Sequence, residues 1–175
     1  MEYSVRLPRG IVMGFNEFRL NRPPFRFRWM TYRLDAKNII YLHDSGEWEE
    51  DGEPQDFNDF LDALPRAQCT LGIYNHATYN EDGDETSRTI VFVSWAPLLA
   101  SMERKARYHE AKELMHKGLL GIQVHIHANT KDELSLDIVE RLAARGAGGG
   151  GSKVPDGPRE EEGEGGRNGM KSTEL

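Results

Sequence analysis

The stretch SMERKARYHEAK, residues 101–112, gathers Arg104, Lys105, Arg107 and Lys112 around the acids Glu103 and Glu110 at helical spacing. Groups of this kind recognise a charged surface; they hold no nucleophile and base at a distance that would transfer a group. On an ideal helix Arg104, Tyr108, Ala111, Met115 and Leu119 fall on one stripe, expected to face inward. Met102, Glu103, Ala106, His109, Glu110 and Glu113 then face outward, with Lys105 and Lys112 on the flank. The plain alternative is a solvated helix face.

Other residues with chemical potential lead less far. His125 and His127 alternate on a β-rich run and point the same way, which is half of a zinc site, but spacing supplies no third ligand and surface histidines are the preferred reading. Cys69 has no activating neighbour, no nucleophile elbow is present, and GAGGGG lacks the Lys-Ser/Thr ending of a phosphate loop. The acidic runs Glu47–Glu53 and Asp82–Glu85 do not fit a calcium loop and read as solvated. Arg26, Arg28 and Trp29 could stack on bases and hold phosphates, yet their alternation predicts aromatics toward the core and arginines outside. No catalytic residue, metal or cofactor is expected.

Composition narrows the classes further. With 175 residues, 38% of them hydrophobic, the chain suits one domain. A formal net charge of -7 disfavours nucleic acid or an anionic membrane held by bulk charge. A single cysteine rules out an internal disulfide. No signal peptide or long apolar span is evident, so the expectation is a soluble, cytoplasmic protein.

The elements that must position these residues follow from periodicity and punctuation. Pro8 opens a helix to about Leu20 with Ile11, Phe15 and Phe18 on one stripe. Residues 25–34 and 39–43 form a hairpin about the Asp35–Asn38 turn, and Phe57, Phe60, Leu61 and Leu64 mark a short helix stopped by Pro65. LGIYNHA and TIVFVSWAP pair as central strands about Asp82-Gly83. A helix from beyond Pro97 to about Lys117, the strand GIQVHIHA and the helix ELSLDIVERLAAR complete residues 1–145. This order predicts an α/β domain, a central mixed sheet sandwiched by helices on both faces. From Gly146 large apolar residues nearly vanish, so residues 146–175 are expected to be a disordered Gly/Glu-rich tail or linker, native or added.

The ordered motifs DFLDALPRAQCTLGIYN, IVFVSWAP and GIQVHIHAN, with Lys105, Tyr108, Lys112 and Gly121 at matching spacing, resemble the actin-depolymerising factor/cofilin family over most of residues 4–145. The resemblance implies the ADF-homology, gelsolin-like fold, a monomer, and actin monomers and filaments as partners at the actin cytoskeleton. It leaves phosphoinositide head groups open as ligands and implies no nucleic acid. The family wedges its long helix between actin subdomains, through two basic residues two positions apart followed by a methionine. Glu103, Lys105 and Ala106 stand at those positions, so one cation has become an acid and the methionine is truncated.

The other surfaces that the resemblance implies are mixed. Ser4 and Val5 match the family's N-terminal motif without its glycine, making Ser4 the position for a regulatory phosphorylation. Met102, Arg104 and Lys112 complete the set on the long helix. Arg88 is the one basic residue in a hairpin where relatives carry several, while Glu140 and Arg141 match further filament contacts on the last helix. The expected function is an actin-binding regulator of filament turnover, by monomer binding and weak filament binding or depolymerisation; the alternative is a non-severing interaction module on the same fold.

Overall fold

A computed structural model describes residues 4–49 and 52–147. In chain order the elements are α1 (Arg9–Leu20), β1 (Phe27–Leu34), β2 (Ile40–Glu47), α2 (Gln55–Asp62), β3 (Thr70–Tyr79), β4 (Glu85–Trp95), α3 (Met102–Gly118), β5 (Val124–Ala128) and α4 (Leu136–Ala147). The strands form one sheet in the order β2-β1-β3-β4-β5. The first four neighbours pair antiparallel, whereas β5 returns through α3 to lie parallel to β4. A parallel return needs a crossover long enough to span the sheet, and the helix supplies it.

Both faces of the sheet are covered, so each face has its own core. Phe15 and Phe18 of α1 and Tyr108, Ala111 and Met115 of α3 pack on Tyr32, Ile73 and Phe92. On the other face Phe57 and Phe60 of α2 and Val139 of α4 meet Trp29, Tyr74, Val91 and Val93. Gly72 permits this second layer to close, because a Cβ there would lie 2.8 Å from the Phe60 ring.

The predicted turns have visible causes. Asp35 Oδ1 accepts hydrogen bonds from the backbone N–H of Lys37 and Ile39, at 2.8 and 2.9 Å, which leaves Asn38 at φ 58° between β1 and β2. Between β3 and β4, Asn80 Oδ1 accepts from the N–H of Asp82 and Asp84, and Gly83 takes φ 83°. Asn and Gly tolerate this left-handed region, so the chain reverses without strain.

Four expectations need correction. Arg28 does not face outward: it is 1% exposed. β1 is an interior strand with helices over both faces, so a continuous run from Arg28 to Tyr32 is buried and alternation has no solvent side to report. Phe25, expected toward the core, precedes β1 and is exposed. Within the first acidic run, Glu53 is not a solvated loop residue, since its Oε1 lies 2.9 Å from His76 Nδ1 and 3.4 Å from the Arg28 guanidinium. At the C-terminal boundary, α4 continues through Gly146 and Ala147. The rest of the segment expected as a tail, and residues 1–3, lie outside the described residues.

Candidate functional site

The long helix α3 is fixed at its start by Ser101, whose Oγ accepts the N–H of Arg104 at 3.2 Å. Capping by a serine satisfies one of the donors that a helix leaves open at its first turn. One turn further on, Tyr108 Oη accepts the Leu34 N–H at 3.0 Å, tying the helix to the end of β1. Tyr108, Ala111, Met115 and Leu119 are buried, as the stripe predicts.

Arg104 departs from that stripe and is exposed. The stripe is buried only from Tyr108 onward, and Arg104 instead lines a cavity with Arg33, Tyr41 and Cys69 at the β1–β2 edge. Met102 is 79% exposed, Glu103 and Ala106 are exposed, and Lys105 and Lys112 are half-buried on one flank two turns apart. The Glu103 carboxylate lies 3.8 Å from the Arg107 guanidinium, the i,i+4 partner on the same helix. Lys112 lies 3.8 Å from Glu113.

Two residues absent from the sequence-based site stand directly before this turn. Pro97 and Ala100 close a reverse turn, with the Ala100 N–H donating to the Pro97 carbonyl at 3.0 Å. That turn holds Leu98 and Leu99 outward, each 70% exposed. The signal in the sequence was the pair itself: consecutive leucines between a strand end and a helix cap belong to no buried periodicity. With Met102, 79% exposed, they make an apolar outcrop at the start of α3, one helical turn from Lys105.

The N-terminal segment reaches the same helix. Ser4 is exposed, but Val5 is 5% exposed and packs into the core, so its side chain cannot serve as the expected contact. Its N–H donates to Glu110 Oε1 at 3.1 Å, which gives an outward carboxylate of α3 an internal task. Arg6 then pairs with Ile39 as a short parallel bridge, which holds Ser4 beside α3.

Glu140 and Arg141 lie on α4, on the opposite face of the sheet from α3, whereas Arg88 of β4 lies on the α1/α3 face beside Arg19 and Gly121, so the structure does not bring the three together. Glu140 and Arg141 are exposed on α4, and a groove of about 680 Å³ between α4 and the β3–β4 hairpin is lined by Glu140, Tyr79, Thr89, His76 and Glu53. Arg88 Nε lies 2.6 Å from Glu85 Oε1 of its own strand, so the hairpin cation is matched before any partner arrives.

His125 and His127 are exposed on the same side of β5, as read from the sequence. The sequence did not show that His125 packs on His116 of α3, with ring centroids 3.9 Å apart, or that Phe92 meets the His116 ring edge-on. Among the described residues no group of three or more His, Cys, Asp or Glu is placed to hold a metal. Burial first, then the neighbouring His125, lowers the pKa of His116 despite the opposing Glu113 carboxylate; burial and then Lys112 lower that of His125. Both rings are therefore neutral in the folded protein near neutral pH. A histidine with a depressed folded pKa contributes stability that is present above its unfolded value of about 6.5 and is lost as pH falls through the folded value. The urea midpoint is expected to drop between about pH 7.5 and pH 5.5, and His116→Gln to flatten that slope. An unchanged slope in the variant would show that this pair does not titrate with folding.

Comparison with known proteins agrees with the architecture. The model of the Cofilin/tropomyosin-type actin-binding protein family matches residues 4–143. Actophorin of Acanthamoeba castellanii is 29% identical over 136 residues, covering 77% of this chain and 91% of that protein. Actin-depolymerizing factor 2 of Zea mays is 35% identical over 115 residues, covering 65% and 78%. The crystal structure of Streptomyces griseoflavus cofilin superposes with a TM-score of 0.68 at 24% identity, covering 81% of this chain and 98% of that one. The matched segment takes in every described strand, the helix α3 with its exposed first turn, and most of α4; the chain is a divergent member of the Cofilin/tropomyosin-type actin-binding protein family.

Proposed function

We propose that the chain binds actin monomers through the exposed start of α3, binds filaments more weakly, and so regulates filament turnover without covalent catalysis. The observation that carries this reading is the outcrop of Leu98, Leu99 and Met102, three large apolar side chains each at least 70% exposed beside Lys105. A cluster of this kind at one end of a rigid helix is the anatomy of a docking site, an apolar centre with a charged rim. Charge attraction is reduced because Glu103 replaces a family cation and is turned toward Arg107.

The same reading covers regulation at Ser4. A phosphate there would bring about two negative charges next to the Val5 N–H and its Glu110 partner, repelling both that carboxylate and an acidic partner surface. The protein acts as a monomer at the actin cytoskeleton in this account.

Leu98→Ser with Leu99→Ser tests the central point. Losing the burial of two leucines is expected to weaken monomer binding by at least roughly tenfold, with melting temperature unchanged because both are exposed in the free protein. Fluorescence titration of labelled actin monomers reads the affinity, and equal affinity of variant and parent would remove the turn from the interface. A second reading, a module that binds filaments without severing them, is favoured by the hairpin, where Glu85 matches Arg88 and Asp82 and Asp84 are exposed. Co-sedimentation together with filament-length counting separates the two: pelleting with no gain in filament ends supports the second.

A further inference from the structure

We propose that Glu110 is a positioning residue for actin binding: its carboxylate, acting through the Val5 N–H, holds Ser4 against α3 so that the N-terminal segment and the helix meet a partner together. The inference rests on the proposed binding of actin at the start of α3. Glu110 Oε1 accepts the Val5 N–H at 3.1 Å across 105 residues of chain, although Glu110 itself is exposed on the outward side of the helix. It stands seven residues beyond Glu103, so two helical turns, about 10 Å, separate this latch from the altered charge on the same side of α3.

The rest of the segment is held by other means. The Val5 side chain is 5% exposed and packs into the core. The Arg6 N–H donates to the Asn38 carbonyl and the Arg6 carbonyl accepts the Ile40 N–H, each at 3.0 Å. Leu7 covers Gly118 so closely that a Cβ there would lie 2.5 Å from its Cδ2. These contacts fix the chain from the Val5 side chain onward and leave the Ser4–Val5 peptide as the last link. Glu110 sets the plane of that peptide, and hence where Ser4 stands. An ionised acceptor also bonds a backbone N–H more strongly than a neutral one. A segment already held in place gives up no freedom when a partner binds, so less affinity is lost to ordering it. Charge alone predicts the reverse: as a bare surface acid Glu110 would repel an acidic partner, and any neutral replacement would strengthen binding. Position and charge therefore differ in sign at this residue.

Glu110→Ala and Glu110→Gln carry the same charge, and the glutamine amide oxygen still accepts the Val5 N–H, so the difference between the two variants reports the latch. The position is exposed and both replacements are good helix formers, so the fold is kept. In the free whole chain, amide hydrogen exchange at Val5 is expected to be roughly tenfold faster in the alanine variant than in the glutamine variant. Leu34, whose N–H is held by Tyr108, should exchange alike in both. Labelled actin monomers are expected to bind the alanine variant roughly fivefold to tenfold more weakly than the glutamine variant, which should bind at or above the level of the parent. Equal exchange at Val5 in the two variants would overturn the latch whatever actin does. Faster exchange in the alanine variant with equal actin affinities would overturn the positioning role alone and leave the actin reading standing. A parent chain that binds no actin would overturn that reading and the positioning role with it.

Discussion

Arg28→Met is expected to lower folding stability by about 3–5 kcal/mol near neutral pH, the largest effect of any single substitution considered for this protein. The guanidinium is 1% exposed, with Nε 2.9 Å from Asp56 Oδ2 and Nη2 3.4 Å from Glu53 Oε1. Nη1 donates to the Asn75 carbonyl at 3.1 Å, and the group stacks 3.7 Å from the centre of the Trp48 ring. Methionine replaces the length and the apolar contact but leaves Asp56, itself 1% exposed, without its cation. Breaking a buried pair from one side strands a charge, which costs far more than the pair contributes beside an apolar replacement of both partners.

The pH dependence of that loss has a definite sign. Burial already holds the Asp56 carboxyl above its ordinary value, and Arg28 is the main influence pulling it down. Without Arg28 it rises further, so the carboxyl escapes its penalty by binding a proton. A raised carboxyl favours the folded state at low pH, and this contribution is lost as pH rises through the folded value. The deficit relative to the parent should therefore be largest near neutral pH and shrink toward about pH 5. The histidine pair is present in both proteins and cancels in the difference. Adding Asp56→Asn to Arg28→Met should recover part of the loss, giving a non-additive cycle. Urea unfolding of the four proteins measures it; additive losses that do not vary with pH would mean that Arg28 stabilises by packing alone.

Glu103→Lys is expected to strengthen actin binding about tenfold at low salt, and Lys105→Ala to weaken it. One replacement removes a like-charge contact with an acidic partner and adds an attraction, and the gain should shrink as salt screens it. The substitution also carries a stability cost. Glu103 sits in the first turn of α3, where a carboxylate is favoured by the helix dipole, and it faces Arg107. Losing both is worth about 0.5–1 kcal/mol, too little to unfold the domain but enough to see in a melting curve. Monomer and filament affinities measured across salt decide the matter: if Glu103→Lys matches the parent at low salt, α3 does not meet actin in the family manner, even where Leu98 and Leu99 do.

Local pattern accounts for the parts of this protein that depend on neighbours in sequence. The buried stripe of α3 from Tyr108 to Leu119, the hairpin turn at Gly83 and the pairing of β3 with β4 were legible because periodicity and turn chemistry act within a few residues. The exposure of Met102, Glu103 and Ala106 was legible for the same reason. What only the tertiary structure decided depends on elements far apart in the chain. Arg28 is buried because α2 brings Asp56 to it, and Val5 is buried because Glu110 and Ile39 hold its segment. His116 meets His125 only because α3 packs across β5. Arg104 leaves its stripe because its position opens on a cavity beside Arg33, Tyr41 and Cys69 instead of packed core, and Leu98 and Leu99 are exposed because the Pro97–Ala100 turn holds them outward. Sequence spacing fixes which side of a helix a residue occupies; whether that side is covered, and by which charge, is set by long-range packing that no local pattern encodes.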